Sequence, residues 1–410
     1  MTRVAAFALA LVVSALPSAA WAQTFRPPDP LARPWSTAQM NLGPIYFAPT
    51  FEIRDVGIDN NVFNDPANPK QDLTGTLALR SNMGLHFGEA LVLQVSQSSG
   101  YVYFRRYRSE RSIASSLNAV LELRTRLVRP WIRWESSKSS ARMGVEVDAR
   151  AEHHTPTFDF GIDFNDMYRI GISAAARRAK LRYADDAVTS DGVNLAEVLD
   201  SQSDVYQGAV RYELSDLSDF LIGFDWARDR FSNAPLRNND SYYGYTGIRT
   251  KQGASFVGSA TVGFRQQKHN DPRVPDFKGA TANIDTAVIP NEYFRIAISG
   301  LRDVGYSYLD EYPYFVQTGG GIDLSTRLND HFDVAMTSRA TWLNYDKTVT
   351  GGSDSRTERT VQFTIGPGYF LNGGDGMRIG VQFERAQRWS PAAGRTYVNN
   401  RITTSYRLSF

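Results

Sequence analysis

Period-two alternation decides what this chain can fold into. At its end, Ile402, Thr404, Tyr406, Leu408 and Phe410 form one set, and Arg401, Thr403, Ser405, Arg407 and Ser409 the other. Successive side chains of a strand point to opposite faces, so the run is a strand with one greasy face and one wet face. The pattern recurs. Phe220, Ile222, Phe224 and Trp226 alternate with Leu221, Gly223, Asp225 and Ala227, and Met377, Ile379, Val381 and Phe383 with Arg378, Gly380, Gln382 and Glu384. Near the front, Ile45, Phe47, Phe51 and Ile53 alternate with Tyr46, Ala48, Thr50 and Glu52. Charged residues make up 21% of the chain and mean hydropathy is −0.35, and no second long apolar run follows the first residues. A bundle of membrane helices is therefore excluded, whereas a membrane barrel needs apolar residues only at alternate positions.

The connections sort into two kinds. Tight polar turns (215–219, 251–254, 291–292, 329–331, 372–376) alternate strictly from residue 167 onward with longer loops (185–201, 232–239, 268–277, 348–356), and 59–71 is another long one. Short turns on one side of a membrane and long loops on the other are the signature of an outer-membrane barrel. Counting back from Phe410 gives twelve strands to residue 167, and pieces near 155–164, 112–126, 90–106, 72–86 and 44–57 add five. The stretch 127–153, with Pro130, the polar run Ser136–Ser140 and Met143–Asp148, does not alternate clearly. One strand there brings both termini to the periplasmic side. The expectation is an all-β, transmembrane, antiparallel up-and-down β-barrel of eighteen strands, with sixteen as the alternative.

Residues 1–22 read as a cleaved secretory signal peptide: Arg3, an apolar run from Val4 to Val13, and the small-residue box Ala20-Trp21-Ala22. Residues 23–43, with Pro27, Pro28, Pro30 and Pro34, read as a proline-rich periplasmic arm or a small plug. The barrel proper is expected over 44–410, in the outer membrane of a bacterial cell, with Phe410 as the membrane-insertion end offered to the barrel-assembly machinery. The absence of cysteine removes disulfide staples and cysteine chemistry. A net charge of +2 gives no reason to expect nucleic acid.

Strand number carries the functional inference. About eight strands leave an interior filled by side chains, while sixteen to eighteen leave an aqueous channel. The inward set is expected to hold Arg211, Glu213, Asp225, Arg295, Asp333, Arg339, Arg378, Glu384, Arg401 and Arg407, because an arginine on lipid costs about 2–4 kcal/mol at the midplane. These are the candidate pore-lining charges, and their mixed signs suit a hydrated bore with ion-pair ladders. The tyrosines near strand ends (Tyr101, Tyr103, Tyr242, Tyr243, Tyr245, Tyr306, Tyr308, Tyr312, Tyr314, Tyr345) read first as an interfacial girdle, second as a stacking track inside.

Catalytic and metal patterns are weak. His153 and His154 are adjacent and point apart on a strand, which is poor metal spacing. His153 with Glu152 and a nearby serine makes no supported triad. The run Asp55, Asp59, Asn60, Asn61, Asn64, Asp65 has the composition of a calcium loop without a ligand pattern, and turn chemistry explains it equally. No cofactor and no enzymatic activity are expected.

Several segments together suggest a family: Asp55 to Phe63, Gly144 to Asp148, Asn194-Leu195-Ala196 with Leu199-Asp200, Asp229-Arg230-Phe231 with Arg237 and Asp240, Arg302-Asp303 with Tyr306-Ser307, and Pro313-Tyr314. In these the chain resembles the β-barrel porins of the second type, over roughly residues 44–410. The resemblance implies an outer-membrane location and a role around exopolysaccharide or capsule export, with polysaccharide export components as partners. The leading expectation is a porin-like water-filled channel for exopolysaccharide or small polar solutes. The rival is a plugged structural or assembly protein whose loops or N-terminal arm bind envelope machinery.

Overall fold

A computed structural model describes residues 38, 40–167, 169–250, 255–291, 293–345, 349, 355–371 and 377–409. The signal segment, most of the proline-rich arm and Phe410 lie outside the described residues. The strands are β1 (Met40–Leu42), β2 (Ile45–Asp59), β3 (Asp72–Phe87), β4 (Leu91–Phe104), β5 (Ser112–Leu123), β6 (Val128–Ser139) and β7 (His153–Met167). They continue with β8 (Ile170–Tyr183), β9 (Ser201–Ser215), β10 (Ser218–Phe231), β11 (Asn239–Thr250), β12 (Phe256–His269) and β13 (Phe277–Asn291). The last are β14 (Phe294–Tyr306), β15 (Tyr314–Arg327), β16 (Phe332–Tyr345), β17 (Arg356–Phe370), β18 (Met377–Trp389) and β19 (Tyr397–Ser409). One helical turn, α1 (Leu195–Leu199), is capped by the Asn194 side chain.

Each strand from β2 onward pairs antiparallel with the next, and β19 returns to β2 with Arg401 opposite Asp59 and Ile402 opposite Ile58. β1 only folds back on β2. The eighteen strands β2 to β19 thus close a circuit without edges, the state in which every ladder group is paired in a lipid environment. The ambiguous stretch after Leu127 supplies β6 and then stops alternating.

The outward face carries the apolar set. Val262, Phe264 and Ile222 are each 57% exposed and Ile402 60%, whereas inward Thr261 and Thr403 are each 5% exposed. On a soluble protein such rows would be an aggregation surface; here they match the hydrocarbon around them. Among the described residues no helix is long and apolar enough to cross a membrane.

A bulge in β2 keeps this partition intact. Apolar residues fall at Ile45, Phe47, Phe51 and Ile53, then at Val56 and Ile58, so the period slips by one place. The register shifts there against both neighbours, Asp55 adopts φ 57°, and the Thr74 hydroxyl donates to the Asp55 carbonyl at 3.0 Å. The extra residue turns the later apolar positions back toward lipid. Inside, rings lie flat over glycines: a Cβ at Gly161 would stand 2.1 Å from Trp131 Cζ2, and one at Gly223 would stand 2.2 Å from Tyr245 Cζ.

Candidate functional site

The inner wall is a lattice of ion pairs. All the candidate charges fall on the set of positions opposite the exposed apolar one. Arg378 Nε meets Asp333 Oδ2 at 2.9 Å, Arg339 Nη2 meets Asp323 Oδ1 at 3.2 Å, and Arg401 reaches Glu384 and Asp59 at 3.7 Å each. Arg211 approaches Asp219, 4.0 Å away, and Asp225 stands beside Arg265 and Gln207. Glu213 lies across from Asp219 in register and Arg295 across from Ser325. Arg407 lies opposite Glu52, which Arg80 reaches at 3.3 Å, and Arg54 adjoins the same group. Arg54 also meets Asp55 at 3.8 Å, so three guanidiniums gather around two carboxylates here, a local excess of positive charge on the wall.

The mouth is where the structure adds what alternation could not. The connection from β6 to β7, residues 140–152, leaves the wall and crosses the bore. Glu146 accepts hydrogen bonds from Ser307 Oγ at 2.6 Å and from the Tyr345 hydroxyl, and pairs with Arg395 at 3.5 Å. Asp148 binds the Asn64 amide at 2.8 Å and approaches Arg388 at 3.7 Å, while Arg142 donates to the Val62 carbonyl at 2.7 Å. Tyr345 ends β16, nine strands on from β7 in a circuit of eighteen, so the loop ties one wall to the opposite one.

The β14–β15 hairpin tip completes the obstruction. Tyr314, Phe315, Val316 and Gln317 are buried in succession, which a wall strand with one open face cannot show. One side of the tip packs Tyr314, Val304 and Val316 on Val274 and Phe277, and the other packs Tyr312 and Phe315 on Leu343 and Tyr345. Tyr306 donates to Asp229 and meets Phe231 edge-on with ring centres 4.9 Å apart, while Arg237 Nε donates to the Ser307 carbonyl at 2.9 Å. α1 adds Leu195 and Leu199 beneath Val147 and Tyr308.

The buried charges around Glu146 and Glu358 are matched. Burial alone would lower the Arg395 guanidinium, but the carboxylates of Glu146 and Glu358 hold it above its ordinary value. Glu358 is fully shielded and also takes Arg356 and Arg388. Burial raises the Tyr308 hydroxyl, against the pull of Arg395. Arg150 is lowered to about 10, first by burial and then by the Arg142 guanidinium, with Asp59 and Glu110 opposing.

Of the segments that carried the family resemblance, Gly144 to Asp148, Leu195 with Leu199, Asp229 with Arg237, Tyr306-Ser307 and Tyr314 meet at this mouth, whereas Arg230, Asp240 and Arg302 face outward. The central residues Glu146, Ser307, Tyr345, Glu358, Arg388 and Arg395 were not among the candidate charges. Glu146 and Ser307 stood in the resemblance segments and Tyr345 among the strand-end tyrosines, but nothing in the sequence brought the six together, and 140–152 is polar and apolar by turns without a period.

The tyrosines divide. Tyr101, Tyr103 and Tyr242 face outward as a girdle would, Tyr243 and Tyr245 face in, and Tyr306, Tyr308, Tyr312, Tyr314 and Tyr345 build the mouth. His153 turns inward beside Tyr183, with ring centres 5.8 Å apart, and His154 turns outward to within 3.0 Å of Ser136 Oγ. The Asp/Asn-rich loop is held by its own turns, with Asn61 Nδ2 donating to the Asp65 carbonyl at 3.0 Å, and by Asn399 Nδ2, which donates to Asp59 Oδ1 at 2.9 Å. Among the described residues no three His, Cys, Asp or Glu side chains group as a metal site.

No protein-family model matches the chain, and no curated protein matches it in sequence. Solved structures do match in shape. Pseudomonas aeruginosa OccK2 (OpdF) shares 12% identity over 89% of this chain and 98% of its own, with a TM-score of 0.51. The same protein in complex with glucuronate gives 0.50 at 12% identity, over 89% of this chain and 98% of its own. Pseudomonas aeruginosa OccK3 (OpdO) gives 0.48 at 12% identity, over 89% and 96%. At such identity the OccK2 likeness speaks for the fold.

Proposed function

We propose that this chain is a porin-type channel of the bacterial outer membrane, admitting small polar solutes through a bore narrowed at its long-loop end. One observation carries the reading: a closed circuit of eighteen strands is crossed by residues 140–152, which reach from β6 and β7 to β16 and β18. A barrel of this girth leaves water down the middle. A loop tied across it makes the opening a filter. The ion-paired wall keeps the bore wet below the filter, and the candidate charges from Arg211 to Arg407 are its lining.

Arg54, Arg80 and Arg407, set against Glu52 and Asp55, leave a local positive excess that favours anionic solutes over cationic ones of the same size. The glucuronate complex of OccK2, a protein of the same fold, is in keeping with a carboxylate-bearing solute. Passage of a polysaccharide finds no comparable support, since the mouth is obstructed.

Planar-bilayer recording of the refolded protein tests this. Stepwise conductance with a reversal potential on the anion-selective side is expected in a salt gradient. A barrel that inserts and never conducts overturns the channel.

The plugged barrel is the second reading, and the packed mouth favours it: Leu195, Leu343 and Tyr345 are wholly shut off from solvent. Deleting residues 143–149 separates the two. Conduction that appears only in the deletion would make the loop a plug rather than a filter.

A further inference from the structure

The outer wall is not chemically uniform around its circumference. A cross-strand row runs Arg178, Asp204, Arg228, Asp240, Lys268 from β8 to β12, each residue opposite the next. These positions belong to the outward set, beyond the row Tyr206, Trp226, Tyr242 toward the long loops. The aromatics mark the interface: Tyr206 stacks on Trp226 with centres 5.3 Å apart, Arg228 lies 4.6 Å over the Trp226 ring, and Lys268 lies 6.0 Å from that of Tyr242. Aromatic girdles sit at headgroup level, so the charges beyond them meet headgroups.

The row is not balanced. Lys180, Arg182, Arg230 and Lys278 stand on the same outward faces, giving seven cations to two carboxylates over β8 to β13, an excess of five. Asp204 binds Arg178 at 2.6 Å and Asp240 binds Arg230 at 2.7 Å, so both carboxylates are already engaged by one cation each. At the long-loop ends of β2 to β5 the outward positions hold Ile58, Leu73, Tyr101, Tyr103 and Ile113, with the Arg111 guanidinium 4.5 Å over the Tyr103 ring, so the cations there are fewer. Toward the membrane middle from Lys268 and Lys278 lies a shallow outward groove floored by Gly244, Ala280 and Ala282, walled by Val262 and Phe264 and bounded by Arg302, which donates to the Thr318 hydroxyl at 2.8 Å. Small residues there leave room for a hydrocarbon chain against the wall.

We propose that this rim seats a phosphate-bearing lipid of the surrounding outer leaflet, phosphates against Arg182, Arg228, Lys268 and Lys278, and an acyl chain in the Gly244–Ala282 groove. Clusters of basic residues at a membrane surface recognise anionic headgroups by this chemistry. The proposal rests on the outer-membrane reading given above. The seat faces away from the bore, so its occupancy leaves conduction unchanged.

The test uses full-length protein refolded into phosphatidylcholine vesicles with or without bisphosphorylated lipid A, extracted in mild detergent and weighed by native mass spectrometry. Wild type is expected to retain lipid A, with at least about tenfold loss in the Arg182→Gln, Arg228→Gln, Lys268→Gln, Lys278→Gln variant. Dephosphorylated lipid A should be lost from both. Equal retention by wild type and variant, or displacement of the lipid by inorganic phosphate alone, overturns the proposal. If the fourfold variant lacks the heat-dependent gel mobility of a folded barrel, the Lys268→Gln, Lys278→Gln pair carries the comparison. Conductance recorded on the same samples keeps the outcomes apart: lost lipid with intact conduction supports the seat, and absent conduction in wild type refutes the channel whatever the lipid does.

Discussion

Ser307 donates its hydroxyl to Glu146 at 2.6 Å across 161 positions of sequence, joining the β14–β15 tip to the loop that leaves β6. Two segments that each left the wall meet over the bore, and the bond is buried. Removing one partner of such a pair strands the other.

Glu146→Ala is therefore expected to unfasten the mouth without unfolding the barrel. It deletes the acceptor for Ser307 and Tyr345 and the counter-charge of Arg395. Breaking a buried pair of this kind costs about 3–5 kcal/mol locally. Larger or noisier single-channel steps with an unchanged heat-dependent gel shift would bear this out; unchanged conductance would mean that the loop does not set the opening.

Arg54→Gln, Arg80→Gln and Arg407→Gln together should weaken anion preference, because Glu52 would then stand without its excess of guanidiniums. The reversal potential in a salt gradient should move toward the cation side, and more at low salt, where screening is weak. The same substitutions at Arg178 and Arg182, outside the wall, should leave it in place.

Gly161→Ala is a probe of the inner surface. Its new methyl would enter the Trp131 ring at 2.1 Å, and both residues sit on central strands that leave little room to yield. The expected loss is about 1–3 kcal/mol, the usual scale of overpacking. Urea unfolding in detergent would read it as a lowered midpoint with unchanged slope.

Neighbouring residues of β12 should respond oppositely to the same charge. Val262→Arg places a guanidinium on lipid and should cost about 2–4 kcal/mol near the midplane. Ser259→Arg, on the inward set, should cost much less, since the wall there is wet and already carries charge. Folding yield into vesicles compares the two directly.

Alternation made the wall legible. The inward and outward sets of β10, β12, β18 and β19 follow from period two alone, and a residue such as Arg378 has a forced side because hydrocarbon rejects a charge. The slip between Ile53 and Val56 went unread, and the bulge at Asp55 explains it. The mouth was not legible. Glu146, Ser307 and Arg395 lie in connections and obey no local period, Tyr345 only keeps the inward phase of β16, and what they meet is made by segments 161 to 249 positions away.

Lipid on one face and water on the other act on each residue separately, so the amino-acid order by itself determined a barrel of eighteen or sixteen strands and the side each wall residue takes; the pairing of β19 with β2 closes it at eighteen. Which loops fold inward, and what they close, depends on pairings such as Glu146 with Tyr345 and Tyr306 with Asp229. Those exist only after the circuit is shut and opposite walls come within reach, and that step the tertiary structure alone decided.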